Sequence, residues 1–310
     1  LLSKLSCALG RNPKIDRCGP LSPRQYIPEQ FKAVLIVCAD FELAWAWRFA
    51  KGLGDGPVGM MERARTERGN IPKVVALCEE HGVPITWATV GHLFLEYCRR
   101  NGGTAHGDLP RIPYHENEYW KYDRGDWYDD DPGTDRKRSP EWYAPDLVRM
   151  ILASKTRHEI ACHTFSHIDC RDGVCAPEIL TGEVLACRMA ARSYGVRLHT
   201  FVHPGHTIGH LRRLRELGFT SFRTDYHNAL GYPRKDESGL WELKSTMEFV
   251  HRKGWSDDYH VHRYTEILRR AMMYQRVCLF WFHPSMPTRF VRDIMPRIFS
   301  YFGSVRQRVW

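Results

Sequence analysis

The first regular feature of the chain is the continuous apolar run from Ala33 to Ala39. A run of this kind predicts a strand that is buried on both faces of a sheet. An apolar stripe over residues 70–80 predicts a helix with Asn70 as its N-cap, and His81-Gly82 is typical of a helix end. A second strand is predicted at 85–90. Strand, helix and strand with short connections form a βαβ unit, which implies a parallel sheet.

The alternation of strands and helices continues almost to the end of the chain. Further strands are predicted at 158–162, 198–202, 221–223 and 277–282. Further helices are predicted to begin at 144 and to cover 177–194, 208–217, 265–274 and 291–302. This regularity favours one α/β barrel over two separate domains, and in such barrels the chemistry collects just beyond the carboxyl ends of the strands.

Two segments depart from this regular pattern. Residues 1–32 are rich in Pro, Arg and Ser, and we expect them to form an arm on a barrel domain of residues 33–310. Residues 99–145 contain many aromatic residues and no clear periodicity. A connection of this length predicts a folded insertion or lid over a site. Its rings would equally form a satellite hydrophobic cluster, and the two interpretations are compatible.

Composition and charge exclude several classes of protein. With 43% hydrophobic and 26% charged residues the chain is typical of globular proteins rather than disordered ones. No stretch approaches the roughly 18 consecutive apolar residues that cross a bilayer, and the cytoplasm is the default compartment. The net charge of +9 is dispersed and lacks a nucleic-acid motif, so an anionic glycan or a membrane surface is favoured over a nucleic acid. The sequence does not indicate an oligomeric state.

Five of the ten cysteines lie in apolar runs, as buried free thiols do: Cys38, Cys78, Cys162, Cys187 and Cys278. Cys170 and Cys175 differ because they flank a turn-rich loop, where a local disulfide or a metal site is conceivable. A single Cys-x4-Cys pair lacks the second pair that a structural zinc site needs, so loop packing is the favoured interpretation.

Four of the predicted strands end in residues that bind metals or carry protons. These are Asp40 and Glu42 after the first strand, His163 and His167 after the third, His203 after the fourth and His283 after the last. A lone histidine is usually a hydrogen-bonded or surface imidazole. Four strand ends of this kind predict a shared site, because a barrel brings its strand ends together.

His163 and His167 are four residues apart, so on a helical turn both imidazoles would face one ion. A zincin motif would have Glu directly after the first His, but here that residue is Thr164. The base must therefore come from elsewhere. Asp40 and Glu42 supply two carboxylates, one to bind the metal and one to act as base.

The motifs together resemble those of the polysaccharide deacetylase (NodB-homology) family. Asp40-Phe41-Glu42 looks like the first motif of that family, and His163-Thr164-Phe165-Ser166-His167 matches its His-[Ser/Thr]-x-x-His motif. The strands at 84–91 and 279–284 resemble two further family segments. The matches occur in the family order and span roughly residues 33 to 305.

This resemblance implies a distorted (β/α)7-type barrel that removes acetyl groups from N-acetylated sugars with a divalent metal ion, most often zinc. By position, Glu42, His163 and His167 would bind the metal. Asp40 would be the general base that takes a proton from water, and His283 the general acid that protonates the departing amine. The implied partner is a carbohydrate substrate.

One family motif is altered. The third motif usually reads Arg-Pro-Pro, with the Arg holding the catalytic Asp, whereas this chain has Val202-His203-Pro204. Arg48 and His203 are the candidates in the sequence to replace that Arg. Gly205 would offer a backbone N–H to an oxyanion. The remaining tentative substrate contacts are His203, His206, Trp87 and Trp127.

Three other functions remain open from the sequence. An allantoinase-like amidohydrolase would keep the barrel, although its metal-free form has no use for an intact Glu42, His163 and His167. A non-haem Fe(II) oxygenase also uses two His and one carboxylate, but the neighbouring Asp40 favours hydrolysis. A non-catalytic carbohydrate-binding protein is supported by the aromatic insertion.

Overall fold

The structure is a computed structural model, and it describes residues 11–16, 23–52, 56–226 and 228–310. Residues 1–10 and 17–22 of the predicted N-terminal arm lie outside the described residues. Lys14–Ile15 of the arm pairs with Ala229–Leu230, and the Tyr26 ring stacks on that of Tyr232 with a centroid separation of 5.3 Å. The described parts of the arm therefore contact the rest of the chain at these two places.

Within the described ranges, one large sheet contains nine strands. In chain order they are β1 (Val34–Phe41), β2 (Thr86–Thr89), β3 (Glu159–Cys162), β4 (Thr200–Val202), β5 (Ser221–Tyr226), β6 (Arg234–Lys235), β7 (Trp241–Ser245), β8 (Met247–Glu248) and β9 (Val277–Phe282). Their spatial order is β6-β7-β5-β4-β3-β2-β1-β9-β8. All of these neighbours run parallel except β6 and β7, which are antiparallel.

The barrel closes through β7 and β8, which are separated by a single residue, Thr246. β7 pairs with β5, whereas β8 pairs with β9 at the other end of the sheet. Thr246 maintains the connection by donating its N–H to the Leu279 carbonyl at 2.7 Å. The segment 241–248 therefore acts as one interrupted strand, which gives seven barrel strands in the described chain and confirms the predicted (β/α)7-type fold.

The helices cover the outside of the barrel. They are α1 (Pro57–His81), α2 (Pro145–Ala153), α3 (Pro177–Arg192), α4 (Leu211–Glu216), α5 (Asp257–Tyr274) and α6 (Met295–Ser304), the last preceded by a π-helical turn at Phe290–Ile294. Their apolar faces and the outward side chains of the strands form the main core. None of the helices in the described residues has the length and apolar character needed to cross a membrane.

The start of α1 corrects the sequence prediction. The helix begins at Pro57 rather than at Asn70, and Gly82 ends it with a φ of 65°. Asn70 is buried inside the helix, and its Nδ2 donates to the carbonyls of Pro284 at 2.8 Å and Met286 at 2.9 Å. Asn70 thus holds the loop after β9 against α1, a role that the local sequence does not indicate.

The side chains inside the barrel come from alternate residues of its strands. The apolar ones are Ile36, Cys38, Ala88, Ala161, Val202, Leu243, Leu279 and Trp281. Because side chains alternate between the two faces of a strand, Asp40 and Glu42 continue the inward row of β1. This alternation delivers both carboxylates to the mouth of the barrel.

Cys170 and Cys175 are buried with free thiols. The Cys170 N–H donates to the Thr207 hydroxyl at 2.9 Å, which ties this loop to the segment after β4. Burial raises the pKa of the Cys175 thiol to about 12, so the thiol is protonated at neutral pH. These contacts agree with the predicted packing role of the loop.

Candidate metal and catalytic site

Glu42, His163 and His167 meet at the mouth of the barrel and are all buried. The Glu42 Oε1 atom lies 2.8 Å from His163 Nε2 and 3.0 Å from His167 Nε2. The two imidazole centroids are 5.1 Å apart. The structure therefore brings together the three residues that the resemblance implied as metal ligands.

The two histidines converge by a different route from the predicted helical turn. Residues 164–166 form a turn after β3, and both Thr164 (φ 58°) and His167 (φ 62°) adopt left-handed backbone conformations. This conformation is uncommon for side chains other than glycine, so the surrounding contacts must hold it. Glu183 does so from α3 by accepting the N–H groups of Phe165 and Ser166, each at 2.8 Å.

The cluster has the features of a metal site. The His163 Nδ1 donates to the Val202 carbonyl at 2.7 Å, which leaves its Nε2 lone pair for a ligand. Glu42 Oε2 is buried and has no hydrogen-bond partner among the described residues. Two imidazoles and one carboxylate are a common donor set for zinc and similar ions. These three residues therefore fit the divalent ion that the motifs imply.

Asp40 is held by an arginine that the sequence analysis missed. Arg223, in β5, donates from Nη1 and Nη2 to the two carboxylate oxygens of Asp40, both at 2.6 Å. Burial alone would raise the pKa of Asp40, but the Arg223 guanidinium holds it below its ordinary value. Asp40 is therefore an anion with a fixed orientation, as a general base requires.

Neither of the two candidate partners for Asp40 contacts it. Arg48 donates instead to the carbonyls of Trp127 at 2.5 Å and Ser166 at 2.7 Å, and so joins the insertion to the histidine turn. His203 is buried and its Nε2 lies 3.1 Å from the Gly209 carbonyl. Burial lowers the pKa of His203 to about 3, which keeps the ring neutral.

A second buried carboxyl group, that of Glu67, contacts the backbone of Glu42. Glu67 of α1 accepts the Glu42 N–H at 2.8 Å. Burial, assisted by the nearby Glu42 charge, raises the pKa of Glu67 to about 8. Glu67 is therefore largely protonated at neutral pH, and it positions the Glu42 backbone without adding a full charge to the site.

His283 follows β9 and reaches the same site, with 28% of its side chain exposed. Its Nε2 lies 3.6 Å from Glu42 Oε2 and 4.0 Å from Asp40 Oδ2, and its Nδ1 lies 3.8 Å from Glu248. Burial opposes protonation, but the charge of Glu42 and the neighbouring Glu248 carboxylate raise the pKa of His283 to about 9. The imidazolium form that a general acid requires is thereby favoured.

A cavity of about 710 Å³ opens above these groups. It is lined by Asp40, Glu42, Ala46, Trp47, Ala50, Lys51, Glu118, Tyr119, Trp120, His167, Gly205, His206, Glu248, Arg252, Trp281 and His283. The wall thus combines the carboxylates and imidazoles described above with four large aromatic rings. Charged groups of both signs stand among them.

The structure separates the tentative substrate contacts into two groups. Gly205 and His206 line the cavity, and a Cβ on Gly205 would lie only 2.6 Å from the Trp120 ring. Trp87 and Trp127 do not line it, because both are buried in the main core, and Trp127 Nε1 donates to Ser166 at 2.8 Å. Trp87, Trp127 and the buried His203 are therefore not placed to touch a substrate.

The insertion contributes mainly to the core and only locally to the cavity. Five of its rings lie in the main core: Tyr122, Trp127, Tyr128, Trp142 and Tyr143. Residues 118–120 alone of the insertion line the cavity, with the Trp120 ring centroid 5.1 Å from that of His167. The rings of the insertion therefore belong to the main core rather than to a satellite cluster, and residues 118–120 form part of the cavity wall.

Comparisons with known proteins give structural matches only. No family model and no curated protein matches this sequence. A solved structure assigned as a polysaccharide deacetylase, from Mycobacterium smegmatis, has a TM-score of 0.62 and 14% identity, over 96% of this chain and 91% of that chain. Another, from Pseudomonas aeruginosa PAO1, has a TM-score of 0.61 and 13% identity, over 94% and 91%. The Puue allantoinase structure also has a TM-score of 0.61 and 13% identity, over 94% and 90%.

Sequence identities this low bear on the fold and not on the substrate, and the matched structures include both a polysaccharide deacetylase and an allantoinase. They agree with the closed barrel, and they cover almost the whole chain. The chain therefore has the barrel fold of these solved polysaccharide deacetylases, which is the fold that the resemblance of its motifs implied.

Proposed function

We propose that this protein is a metal-dependent hydrolase that removes the acetyl group from an N-acetylated sugar. The observation that carries the proposal is the position of Asp40 next to the cluster of Glu42, His163 and His167, called here the Glu42 cluster. Arg223 fixes Asp40 as an anion, directly beside three residues with the donor set of a divalent metal site. A binding protein has no need for a buried, oriented base next to such a cluster.

In this proposal Glu42, His163 and His167 hold the ion. When bound, a divalent ion polarises the acetyl carbonyl and lowers the pKa of water. Asp40 accepts a proton from the attacking water as the new C–O bond forms. His283 donates its proton to the amide nitrogen as the C–N bond breaks, which releases acetate and a free amine. Gly205 N–H is the proposed donor to the acetyl oxygen, because its backbone lies on the cavity.

The cavity wall supports a sugar as the substrate class. Trp47, Tyr119, Trp120 and Trp281 offer flat apolar surfaces of the kind that stack on pyranose rings. Lys51, Glu118 and Arg252 add groups that hydrogen-bond hydroxyls. A volume of about 710 Å³ exceeds what a small cyclic amide fills, so this wall favours the sugar over an allantoin-like ring.

The proposal is tested by measuring acetate released by the zinc-loaded protein. N-acetylglucosamine and its short β-linked oligomers serve as one substrate set, with allantoin assayed in parallel. We expect acetate from at least one acetylated sugar and no turnover of allantoin. Allantoin hydrolysis without acetate release would replace the proposal with the amidohydrolase alternative. Sugar binding without turnover of either substrate would indicate a carbohydrate-binding protein.

Trp120→Phe is expected to change substrate selectivity, whereas Trp127→Phe is not. Trp120 lines the cavity, so trimming it should alter the ratio of kcat/KM between two acetylated sugars by about tenfold. Trp127→Phe removes the buried hydrogen bond to Ser166 and shrinks a core ring that lies 4.4 Å from the Arg48 guanidinium, so it should cost about 1–3 kcal/mol of stability. Both variants are compared on the same sugars and by thermal unfolding. Equal selectivity in Trp120→Phe and wild type would exclude Trp120 from substrate recognition.

The activity is expected to fall on the alkaline side as His283 loses its proton. The general acid is active below its pKa, so kcat/KM should decline as the pH rises through that value. The Glu42 charge is the main cause that raises the pKa of His283 to about 9, and a bound cation would offset part of that charge. The alkaline limb should therefore lie between the ordinary value of 6.5 and about 9. A limb that persists unchanged in His283→Gln would assign it to another group.

A further inference from the structure

A second group of metal-competent side chains lies where the insertion leaves the barrel. His92 follows β2, and Cys98 and His106 flank the short hairpin Arg100–Asn101 and Thr104–Ala105. Asp131 comes from the second half of the insertion. One donor atom from each of the four lies within 4.8 Å of all the others. No sequence motif marks this group, because its members are spread over forty positions.

We infer that His92, Cys98, His106 and Asp131 form a structural zinc site. His92 Nε2, His106 Nε2 and Asp131 Oδ2 make a triangle with 3.1 Å on every side, and Cys98 Sγ lies 3.3 Å from His106 Nε2. Zinc bonds of about 2.0–2.3 Å in a tetrahedron separate ligand atoms by roughly 3.3–3.7 Å. A slight expansion of the group therefore accommodates the ion.

Hydrogen bonds alone satisfy this arrangement poorly. Each Nε2 atom carries at most one hydrogen, and His106 Nε2 faces His92, Cys98 and Asp131 together. If both imidazoles donate to Asp131, their two N–H groups face each other at a nitrogen separation of 3.1 Å. A cation among the four donors instead uses every lone pair, and the negative carboxylate and thiolate compensate its charge.

The second contacts of Asp131 orient it toward the other donors. Its Oδ1 accepts the Tyr143 hydroxyl at 2.8 Å and the Gly133 N–H at 2.9 Å, which leaves Oδ2 for the cluster. Such outer partners are characteristic of metal-binding carboxylates. His92 and Asp131 have no exposed surface and Cys98 is 7% exposed. Four protein donors in a closed site leave no open position for a substrate, which is the pattern of a structural rather than a catalytic ion.

The site would brace the histidine turn of the active site. Phe165 lies between His163 and His167 in sequence, and its ring packs on His92 and His106 with centroid separations of 5.5 and 5.1 Å. The His92 N–H also donates to the Phe165 carbonyl at 2.9 Å. An ion here would join the barrel, both halves of the insertion and this turn. The inference does not depend on the proposed function, because a non-catalytic protein would need the same brace.

Cobalt substitution gives a direct test. Thiolate ligation of Co²⁺ produces a charge-transfer band in the near ultraviolet, and the Glu42 cluster contains no thiol. We expect this band in the wild-type chain and in Glu42→Gln, and its loss in Cys98→Ser. Cys278→Ser is the matched control, since Cys278 is a buried free thiol outside the donor groups. No band in the wild-type chain, or a band that persists in Cys98→Ser, overturns the inference.

Zinc content supplies an independent reading. After dialysis against metal-free buffer, Cys98→Ser and His106→Gln should each contain one zinc equivalent less than wild type, and Cys278→Ser the same amount as wild type. Chelation should lower the Tm of wild type more than that of Cys98→Ser. A cobalt band that the wild-type chain shows and Cys98→Ser loses, together with no turnover of any acetylated sugar by the wild-type chain, would retain this site and reject the proposed function. Equal zinc content in wild type and both ligand variants rejects the site itself.

Discussion

Asp40→Asn is expected to lower kcat/KM for acetyl release by a factor on the order of 10²–10⁴, the usual contribution of a positioned acid or base. The amide nearly matches the carboxylate in shape but cannot take the proton from water. Glu42, His163 and His167 stay in place, so the zinc content should be unchanged. The comparison requires acetate-release kinetics and metal analysis on the same preparation.

The control for this substitution is Asp293→Asn, because Asp293 is a surface carboxylate paired with Arg292 outside the cavity. It should leave kcat/KM and zinc content unaltered. Asp40, Glu42 and His283 also form a group of donors that could hold an ion. If Asp40→Asn loses zinc in proportion to its activity, Asp40 is a ligand and the base lies elsewhere.

Arg223→Met is expected to reduce both stability and activity. The substitution leaves the Asp40 carboxylate buried without its counter-charge, and breaking such a pair typically costs about 3–5 kcal/mol of the free energy of unfolding. With Arg223 gone, burial is no longer offset by the guanidinium, so the pKa of Asp40 should rise and the acid limb of kcat/KM should move to higher pH. Denaturant unfolding measures the first effect, and the acid limb of kcat/KM measures the second.

Two further variants separate charge from geometry. Arg223→Lys keeps a positive charge next to Asp40 but cannot donate to both of its carboxylate oxygens in the same geometry. It should therefore retain a larger fraction of the wild-type unfolding free energy than of the wild-type kcat/KM. The double variant Asp40→Asn/Arg223→Met removes both charges and should be more stable than Arg223→Met alone. Arg269→Met, which breaks an exposed pair with Glu266, should cost less than about 1 kcal/mol. A loss in Arg223→Met no larger than this control would contradict the role given to the buried pair.

The strands and the ends of the strands were predictable because they depend on local patterns. Buried parallel strands are continuous apolar runs, and the predicted strand at 277–282 matches β9 in both of its ends. A barrel then brings strand ends together whatever their separation in sequence. For that reason the sequence was enough to assign five residues to one site: Asp40, Glu42, His163, His167 and His283.

Patterns that tertiary contacts override were not predictable. The strand at 241–248 was not predicted because Glu242, Lys244 and Glu248 leave it without an apolar run, so that only its pairing with β5 and β9 identifies it. Asn70 has the sequence context of an N-cap, yet packing against the loop after β9 places it inside a longer helix. Trp87 and Trp127 matched motif positions or a plausible lid, but their side chains point into the core.

Only the tertiary structure determined which buried polar side chains pair with one another. An arginine within a short strand gives no sign of which carboxylate it pairs with, so Arg223 was passed over in favour of Arg48 and His203. The four donors from His92 to Asp131 were equally hidden, since irregular spacing carries no motif. Hydrophobic periodicity is written in the local sequence and determines which face of each element is buried. The pairing of buried polar groups depends on distances between segments, which exist only once the barrel has closed.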